Sequence, residues 1–364
     1  METRNAIVVI PAYEPGENLV DYIEDLQAMG FSHIIVVDDG SGVKYRPVFS
    51  QLEDAGAVVL RHMRNFGKGQ ALKTAFLFIK DRFSKTYPII TADADGQHLV
   101  KDVVAVDEAL VQYPNRLILG VRDFSGTNVP FKSREGNRFS SLFFRLSTGV
   151  RCPDTQTGLR GIPIRLLDFA LSVEGDRYDY EMNFLTDATK KTDFYYLPIT
   201  TVYEEHNACS HFRPVRDSLR IYARSVRFAL SSLASAGVDF SMFYLLSRIL
   251  LYTPAMRILI ATVGARLCSG WINFKLNKHF SFKSKGSGWK EGLRYFLLFV
   301  GQMLLSAGGV SLVSMLLPSM VAKLLVDGSL FVISYLIQKH WVFSKDENGG
   351  NYEKKKTTLV DVHI

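Results

Sequence analysis

The stretch T91-A-D-A-D-G-Q97 closes an apolar run, Y87-P-I-I-T91, with two carboxylates two residues apart. At the C-terminal edge of a buried strand, Asp93 and Asp95 form a compact all-oxygen ligand set suited to Mg2+ or Mn2+. A second acidic pair, Asp38-Asp39, follows another apolar run, I34-I-V-V37. The glycine-containing N65-F-G-K-G69 is too short for a Walker A loop and lacks its terminal Lys-Ser/Thr pair. It still sets Lys68 where an ammonium can meet a diphosphate, between glycines that allow close backbone approach.

These groups need a frame, and the chain supplies one. N5-A-I-V-V-I10, I34-I-V-V37, A57-V-V-L60, Y87-P-I-I-T91 and L117-I-L-G120 read as strands. Helical spacing runs over Asn18 to Met29, Gln70 to Phe83 and Val100 to Val111. This alternation predicts an α/β domain with a mainly parallel sheet. Such sheets take their ligands beyond the carboxyl ends of the strands. The marked segments, residues 11–14, 38–41, 65–69 and 93–97, all fall there. The first strand turn has no G-x-G-x-x-G, which argues against a nicotinamide-binding fold.

Composition changes near residue 222 of the 364. Beyond it lie four apolar stretches: Phe228 to Leu251, Ala255 to Phe274, Tyr295 to Leu317 and Met320 to Ile337. Each approaches or exceeds the roughly 20 residues a helix needs to cross a bilayer. Lys275, Lys278, Lys283, Lys285, Lys290 and Arg294 crowd between the second and third stretches, and a further basic run closes the chain. The positive-inside tendency then puts this loop and both termini in the cytoplasm. The net charge of +7 follows this asymmetry and favours anionic membrane lipid. Without a recognisable reader element, it does not indicate a nucleic-acid partner. The apolar run before Pro11 is too short for a signal-peptide core, so no signal peptide is expected. Cys152, Cys209 and Cys268 are too dispersed for a metal cluster or a disulfide framework.

Taken together and in order, V8-V-I-P-A-Y-E-P15, V36-V-D-D-G-S41, N65-F-G-K-G69, T91-A-D-A-D-G-Q97, D154-T-Q-T-G-L-R160 and D179-Y-E181 resemble the family 2 glycosyltransferases. The resemblance is to the polyprenyl-phosphate type, related to dolichol-phosphate mannose synthase. It implies a GT-A type α/β domain over residues 1–215, followed by an interfacial helix over 216–227. Residues 228–343, with I272-N-F-K-L-N-K-H-F-S-F282 and Q338-K-H-W-V-F343, resemble the four-span GtrA-like family, ahead of a tail over 344–364.

The resemblance assigns nucleotide contacts to Pro11, Tyr13, Glu14, Asp39, Lys68, Asp93 and Ala94. Asp38 either joins them or holds the loop that carries Asp39. Asp93, Asp95 and Gln97 would hold Mg2+ or Mn2+, and Asp95, Asp154 and Gln156 form the catalytic set. Arg122, Arg134, Arg138 and Arg213 are expected at the acceptor phosphate, although Arg138 and Arg145 fit lipid headgroups equally well. Asp179 and Glu181 are expected at the sugar, with a turn or cap as the other reading of Asp179.

The implied reaction is inverting transfer of one sugar from a nucleotide sugar to a polyprenyl phosphate, undecaprenyl phosphate in a bacterial source. UDP-glucose is the first choice of donor and GDP-mannose the nearest alternative. The absence of a Q-x-x-R-W element argues against a processive polysaccharide synthase. Small residues in S231-S-L-A-S-A-G237 and G301-Q-M-L-L-S-A-G-G309 allow close helix packing, within one chain or in a homotetramer.

Overall fold

The computed structural model describes residues 3–83, 86–126, 129–200, 223–251, 253–282, 284, 286–313 and 315–343. The chain divides into two compact units, with the break after residue 221.

The first unit is built on a seven-stranded sheet in the order β3-β2-β1-β4-β6-β5-β7. Its strands are β1 (Arg4–Ala12), β2 (Phe31–Asp38), β3 (Val58–Arg61), β4 (Ile89–Thr91), β5 (Leu117–Arg122), β6 (Arg160–Ile162) and β7 (Phe194–Ile199). All pairings are parallel except those of β6, which runs antiparallel between β4 and β5. The five expected strands are present, and β6 and β7 are additions. Three-residue β6 is too short to show a period of its own, and its pairing is set by long-range contacts.

Strand periodicity divides the core. Ile7, Val9, Ile35 and Val37 face one side, under α3 (Lys68–Arg82), α6 (Leu167–Ser172) and α7 (Tyr178–Ala188). Ala6, Val8, Ile10, Ile34 and Val36 face the other, under α1 (Asn18–Ala28), α2 (Arg46–Asp54) and α4 (Val100–Gln112). Successive side chains alternate faces, so both layers are apolar and the central strands read as continuous apolar runs.

One helix breaks this pattern. In α5 (Phe131–Thr148) the buried positions are Asn137, Ser140, Phe144 and Ser147, mostly small or polar. Phe131, Phe139, Leu142 and Leu146 point outward, 75%, 60%, 55% and 48% exposed. This inverts the usual arrangement of a helix on a water-soluble core.

The second unit contains α8 (Ala223–Ile249), α9 (Pro254–Leu276), α10 (Gly288–Val313) and α11 (Ser319–Ile337). These helices coincide with the four apolar stretches. Among the described residues, Val226–Ile249 is a 24-residue segment long and apolar enough to cross a membrane. Leu233, Phe240 and Leu304 are among the many large apolar side chains directed outward. Each helical pair ends in a π turn, Asn277–Ser281 after α9 and Gln338–Val342 after α11.

Candidate active site

Parallel pairing brings the C-terminal ends of β1 to β4 to one edge, and the following loops carry the expected chemistry. Pro11 pairs with Val37 near the end of β1, and Tyr13 and Glu14 lie just beyond. Glu14 has a φ of +49°, the left-handed region, and its N–H donates to Ser41 Oγ at 2.8 Å. The Ser41 N–H donates in turn to Asp38 Oδ1 at 2.8 Å. Asp38 therefore holds the loop that carries Asp39, one of the two roles expected for it.

Asp39 is buried and faces the Asn65–Gly69 loop. Its Oδ1 accepts from Phe66 N at 2.9 Å and its Oδ2 from Gly67 N at 2.7 Å. His62 Nδ1 lies 2.7 Å from Oδ1, and His62 Nε2 lies 2.9 Å from Thr74 Oγ1. Gly67 (φ +105°) precedes α3, and Lys68 is the first residue of that helix.

Lys68 joins segments far apart in sequence. Its ammonium lies 2.7 Å from Asp93 Oδ1 and 3.0 Å from Glu181 Oε1. Burial opposes its charge, but the two carboxylates outweigh that and raise its pKa. Burial likewise opposes ionisation of Asp93, yet Lys68, His98 and Arg122 hold it below the usual carboxylate range. Asp95 is shifted the other way, upward, by burial and then by the Asp93 charge. Its Oδ1 accepts the Gln97 N–H at 3.1 Å. Ala94 packs with the core beneath, between the two aspartates.

The donor set fits a hard divalent cation. Asp93 and Asp95 are crowded carboxylates, and the described structure gives a lysine partner to Asp93 but not to Asp95. Two carboxylates with the Gln97 amide leave positions for phosphate and water, as Mg2+ prefers. Among the described residues, no group of three or more His, Cys, Asp or Glu gathers for a metal.

The D154-T-Q-T-G-L-R160 segment closes the site from the β6 side. A Cβ at Gly158 would sit 2.2 Å from Asp93 Oδ2, so any side chain here would displace the carboxylate that this segment passes. Asp154 is fully buried. Its oxygens accept from Arg122 Nε at 2.8 Å and Nη2 at 3.1 Å, a bidentate pair, and from Gln156 N at 3.0 Å. Its carboxylate thus positions Arg122 at the end of β5, and the Gln156 side chain lies exposed beyond it. Glu181 lies between Lys68 and Arg160, whose Nη2 is 3.7 Å away. Asp179 turns back to accept the Arg177 N–H at 3.1 Å, at the start of α7.

Arg134 donates through Nη2 to Gly126 O at 2.7 Å. Arg138 projects from the outward apolar face of α5, its side chain 80% exposed. The opposite face of α5 packs on the segment that carries Asp154. Asn137 Nδ2 donates to Pro153 O at 2.7 Å, and Ser140 Oγ meets Thr155 Oγ1 at 2.6 Å. Arg213 lies outside the described residues.

Two histidines belong to the constellation without having been singled out. His98 is buried, which lowers its pKa to about 4, and its Nδ1 accepts the Asp93 N–H at 3.0 Å. His62 follows β3 on the same sheet edge, where strand position alone could have marked it. Arg177 has no such signal. It meets Asn65 across 112 residues of sequence, Nη1 to Oδ1 at 3.0 Å.

A GT-A type sheet with an Asp-x-Asp at its carboxyl edge, paired to the lysine that heads α3, defines a class of sugar transferase. Residues 7–168 match "Glycosyl transferase family 2", and residues 225–343 match "GtrA/DPMS, transmembrane domain". An uncharacterized protein of Methanocaldococcus jannaschii, MJ1222, is 31% identical over 208 residues, covering 55% of this chain and 82% of that protein. A UDP-N-acetylglucosamine–dolichyl-phosphate N-acetylglucosaminyltransferase of Methanococcus voltae is 27% identical over 222 residues, covering 55% and 86%. Glycosyltransferase AglJ of Haloferax volcanii is 27% identical over 234 residues, covering 62% and 74%. The chain belongs to glycosyl transferase family 2 and carries a GtrA/DPMS membrane domain. It is a membrane-associated glycosyltransferase.

Proposed function

We propose that the protein transfers a single sugar from a nucleotide sugar to a polyprenyl phosphate at the cytoplasmic membrane face, inverting the anomeric centre. The observation that carries this reading is the cluster of Lys68, Asp93, Asp95 and Glu181 at the carboxyl edge of a family 2 domain joined to a GtrA/DPMS domain. The Methanococcus voltae relative, named for dolichyl phosphate and a UDP sugar, supports the acceptor class and a UDP donor. UDP-glucose is the first donor in this proposal. GDP-mannose and UDP-N-acetylglucosamine are the alternatives to be tested with it.

In this reaction the acceptor phosphate oxygen bonds to sugar C1 as the bond from C1 to the nucleoside diphosphate breaks, and the electron pair leaves with the diphosphate. Mg2+ or Mn2+ held by Asp93, Asp95 and Gln97 would neutralise that leaving group. Lys68, at the head of α3, adds a positive charge on the same side. A phosphate with a second pKa of about 6 is largely dianionic at pH 7, so the chain need not supply a strong base. Asp154 suits that scheme, because its carboxylate is committed to Arg122. Arg122, so fixed, meets the acceptor phosphate by bidentate hydrogen bonding. Arg134, Arg138 and Arg213 are further phosphate or headgroup contacts in this reading, and Glu181 reaches the sugar from beside Lys68.

The outward face of α5 supports work at a bilayer. Phe139, Leu142 and Leu146 would enter the headgroup boundary while Arg138 and Arg145 stay with the phosphates. The four helices of the second unit span the membrane with the basic loop on the cytoplasmic side, and a homotetramer is the proposed assembly. The deciding assay is transfer of radiolabelled sugar from UDP-glucose, UDP-N-acetylglucosamine and GDP-mannose to purified dolichyl and undecaprenyl phosphates. One donor should give a lipid carrying one sugar. A ladder of polymer, or no lipid-linked product across the panel, would refute the proposal.

A further inference from the structure

We infer that His62 and Arg177 are positioning residues that fix the Asn65–Lys68 loop from two sides and so aim Lys68. This rests on the proposed role of Lys68 at the donor diphosphate. On one side stands the buried Asp39 carboxylate, which accepts the N–H groups of Phe66 and Gly67. A third donor adds to these two backbone partners. His62 is that donor, at 2.7 Å, and is itself held by Thr74 of α3 at 2.9 Å. On the other side Arg177 donates to the Asn65 side chain. The fit is tight: a Cβ on Gly67 would lie 2.3 Å from Arg177 Cγ, and one on Gly69 would lie 2.4 Å from Tyr180 Cβ. The loop is clamped between two segments, and Lys68 leaves the clamp toward Asp93 and Glu181.

The test compares His62→Phe, His62→Asn and Arg177→Met with wild type and Lys68→Met in donor kinetics, using whichever nucleotide sugar wild type turns over. Asparagine places an amide N–H near the imidazole Nδ1 position and restores the bond to Asp39. Misplacing a reacting group by about 1 Å costs on the order of 100-fold. His62→Phe and Arg177→Met should therefore lose about 10- to 100-fold in kcat/KM for the donor, with the lipid-acceptor KM unchanged. His62→Asn should recover most of that loss. Wild-type donor kcat/KM in His62→Phe and Arg177→Met, beside an inactive Lys68→Met, overturns the clamp alone. Full activity of Lys68→Met overturns the reading of Lys68 beneath it. If His62→Phe does not fold, Arg177→Met and the His62→Asn recovery decide.

A separate observation concerns the helical unit, where the geometry points to an internal two-fold repeat of one helical hairpin. The π turns share a pattern, N277-K-H-F-S-F282 and Q338-K-H-W-V-F343, set 61 positions apart. Contacts inside one hairpin recur in the other. Asn273 donates to Ser235, as Ser334 donates to Gln302. Asp239 pairs with Arg266, and Ser306 with Asp327. One fixed spacing relates the α8 members to the α10 members, and the 61-residue spacing relates α9 to α11.

Contacts between hairpins are exchanged, as a two-fold rotation requires. Phe228 meets Tyr335 at 5.3 Å, and their counterparts Tyr295 and Phe274 meet at 5.4 Å. Phe282 stacks on Tyr335 and Phe343 on Phe274, both at 6.0 Å. Residues on the axis meet their own counterparts: Asn277 donates to Gln338 at 2.9 Å, and Phe282 stacks on Phe343 at 5.0 Å. Both hairpins run in the same sense, which is the parallel repeat, with its axis along the membrane normal.

Transplanting a contact tests this. Ser231 meets Ser281 at 3.0 Å, and the matching positions are Leu298 and Val342, which share one apolar cluster. Ser231→Leu alone should overpack the first hairpin and lower the thermal midpoint by roughly 5 °C in detergent. Ser231→Leu with Ser281→Val, which copies the second hairpin into the first, should return the midpoint to within about 2 °C of wild type. A double variant no more stable than Ser231→Leu overturns the repeat.

Discussion

Asp95→Ala should lower sugar transfer by about a thousandfold or more and leave the protein folded in the membrane. The reasoning starts from the contrast between the two aspartates. Asp93 is tied to Lys68, its N–H donates to His98, and it lies against Gly158. Asp95 has the Gln97 N–H and a neighbouring negative charge. It is therefore the carboxylate with capacity left for a cation and the one whose removal disturbs the fold least. Taking away a crowded charge beside Asp93 relieves repulsion, as often happens when a functional residue is removed. Wild type treated with chelator should show the same loss, reversed by Mg2+ or Mn2+. Transfer by well-folded Asp95→Ala within about tenfold of wild type would show that this carboxylate holds no essential cation.

Asp154→Ala should act first on stability. It would leave the Arg122 guanidinium beside an empty, fully buried position that now holds both oxygens of a bidentate pair. Breaking a buried pair by removing one partner costs about 3–5 kcal/mol. Arg122 keeps some contact with water, so a value of about 3 kcal/mol is expected. Among the folded molecules, the KM for polyprenyl phosphate should rise more than the KM for the donor, because Arg122 loses its aim and Lys68 does not. Arg122→Met with Asp154→Leu should recover part of the stability and none of the acceptor affinity, since no charge is then stranded. Melting curves and paired KM measurements decide this. If Asp154→Ala melts like wild type but has lost all turnover, Asp154 acts in the reaction itself and not through Arg122.

The sequence by itself determined the frame and most of the residues that gather at its carboxyl edge. Apolar runs bounded by polar loops located five strands to within a few residues, because a strand buried on both faces must be apolar throughout. The carboxyl-edge rule then put residues 11–14, 38–41, 65–69 and 93–97 in one place, and the parallel pairing brings them there. Mixed basic and apolar faces at helical spacing are also legible over residues 133–145, within α5, since helix periodicity is local.

Only the tertiary structure decided how the charges divide. Asp38 and Asp39 look equivalent in sequence, but alternation along the extended chain sends their side chains different ways. One caps the Ser41 turn and the other holds the Asn65–Gly67 loop. By resemblance Asp154 is expected in the catalytic set and Glu181 at the sugar. One became the buried counterion of Arg122, and the other pairs with Lys68. The antiparallel strand β6, the reach of Arg177 to Asn65 and the matched contacts of the two hairpins all join residues far apart in the chain. Hydrophobic period records which face a residue occupies. It holds no record of which distant charge that face will meet, and here that pairing selects the role of each ionisable group.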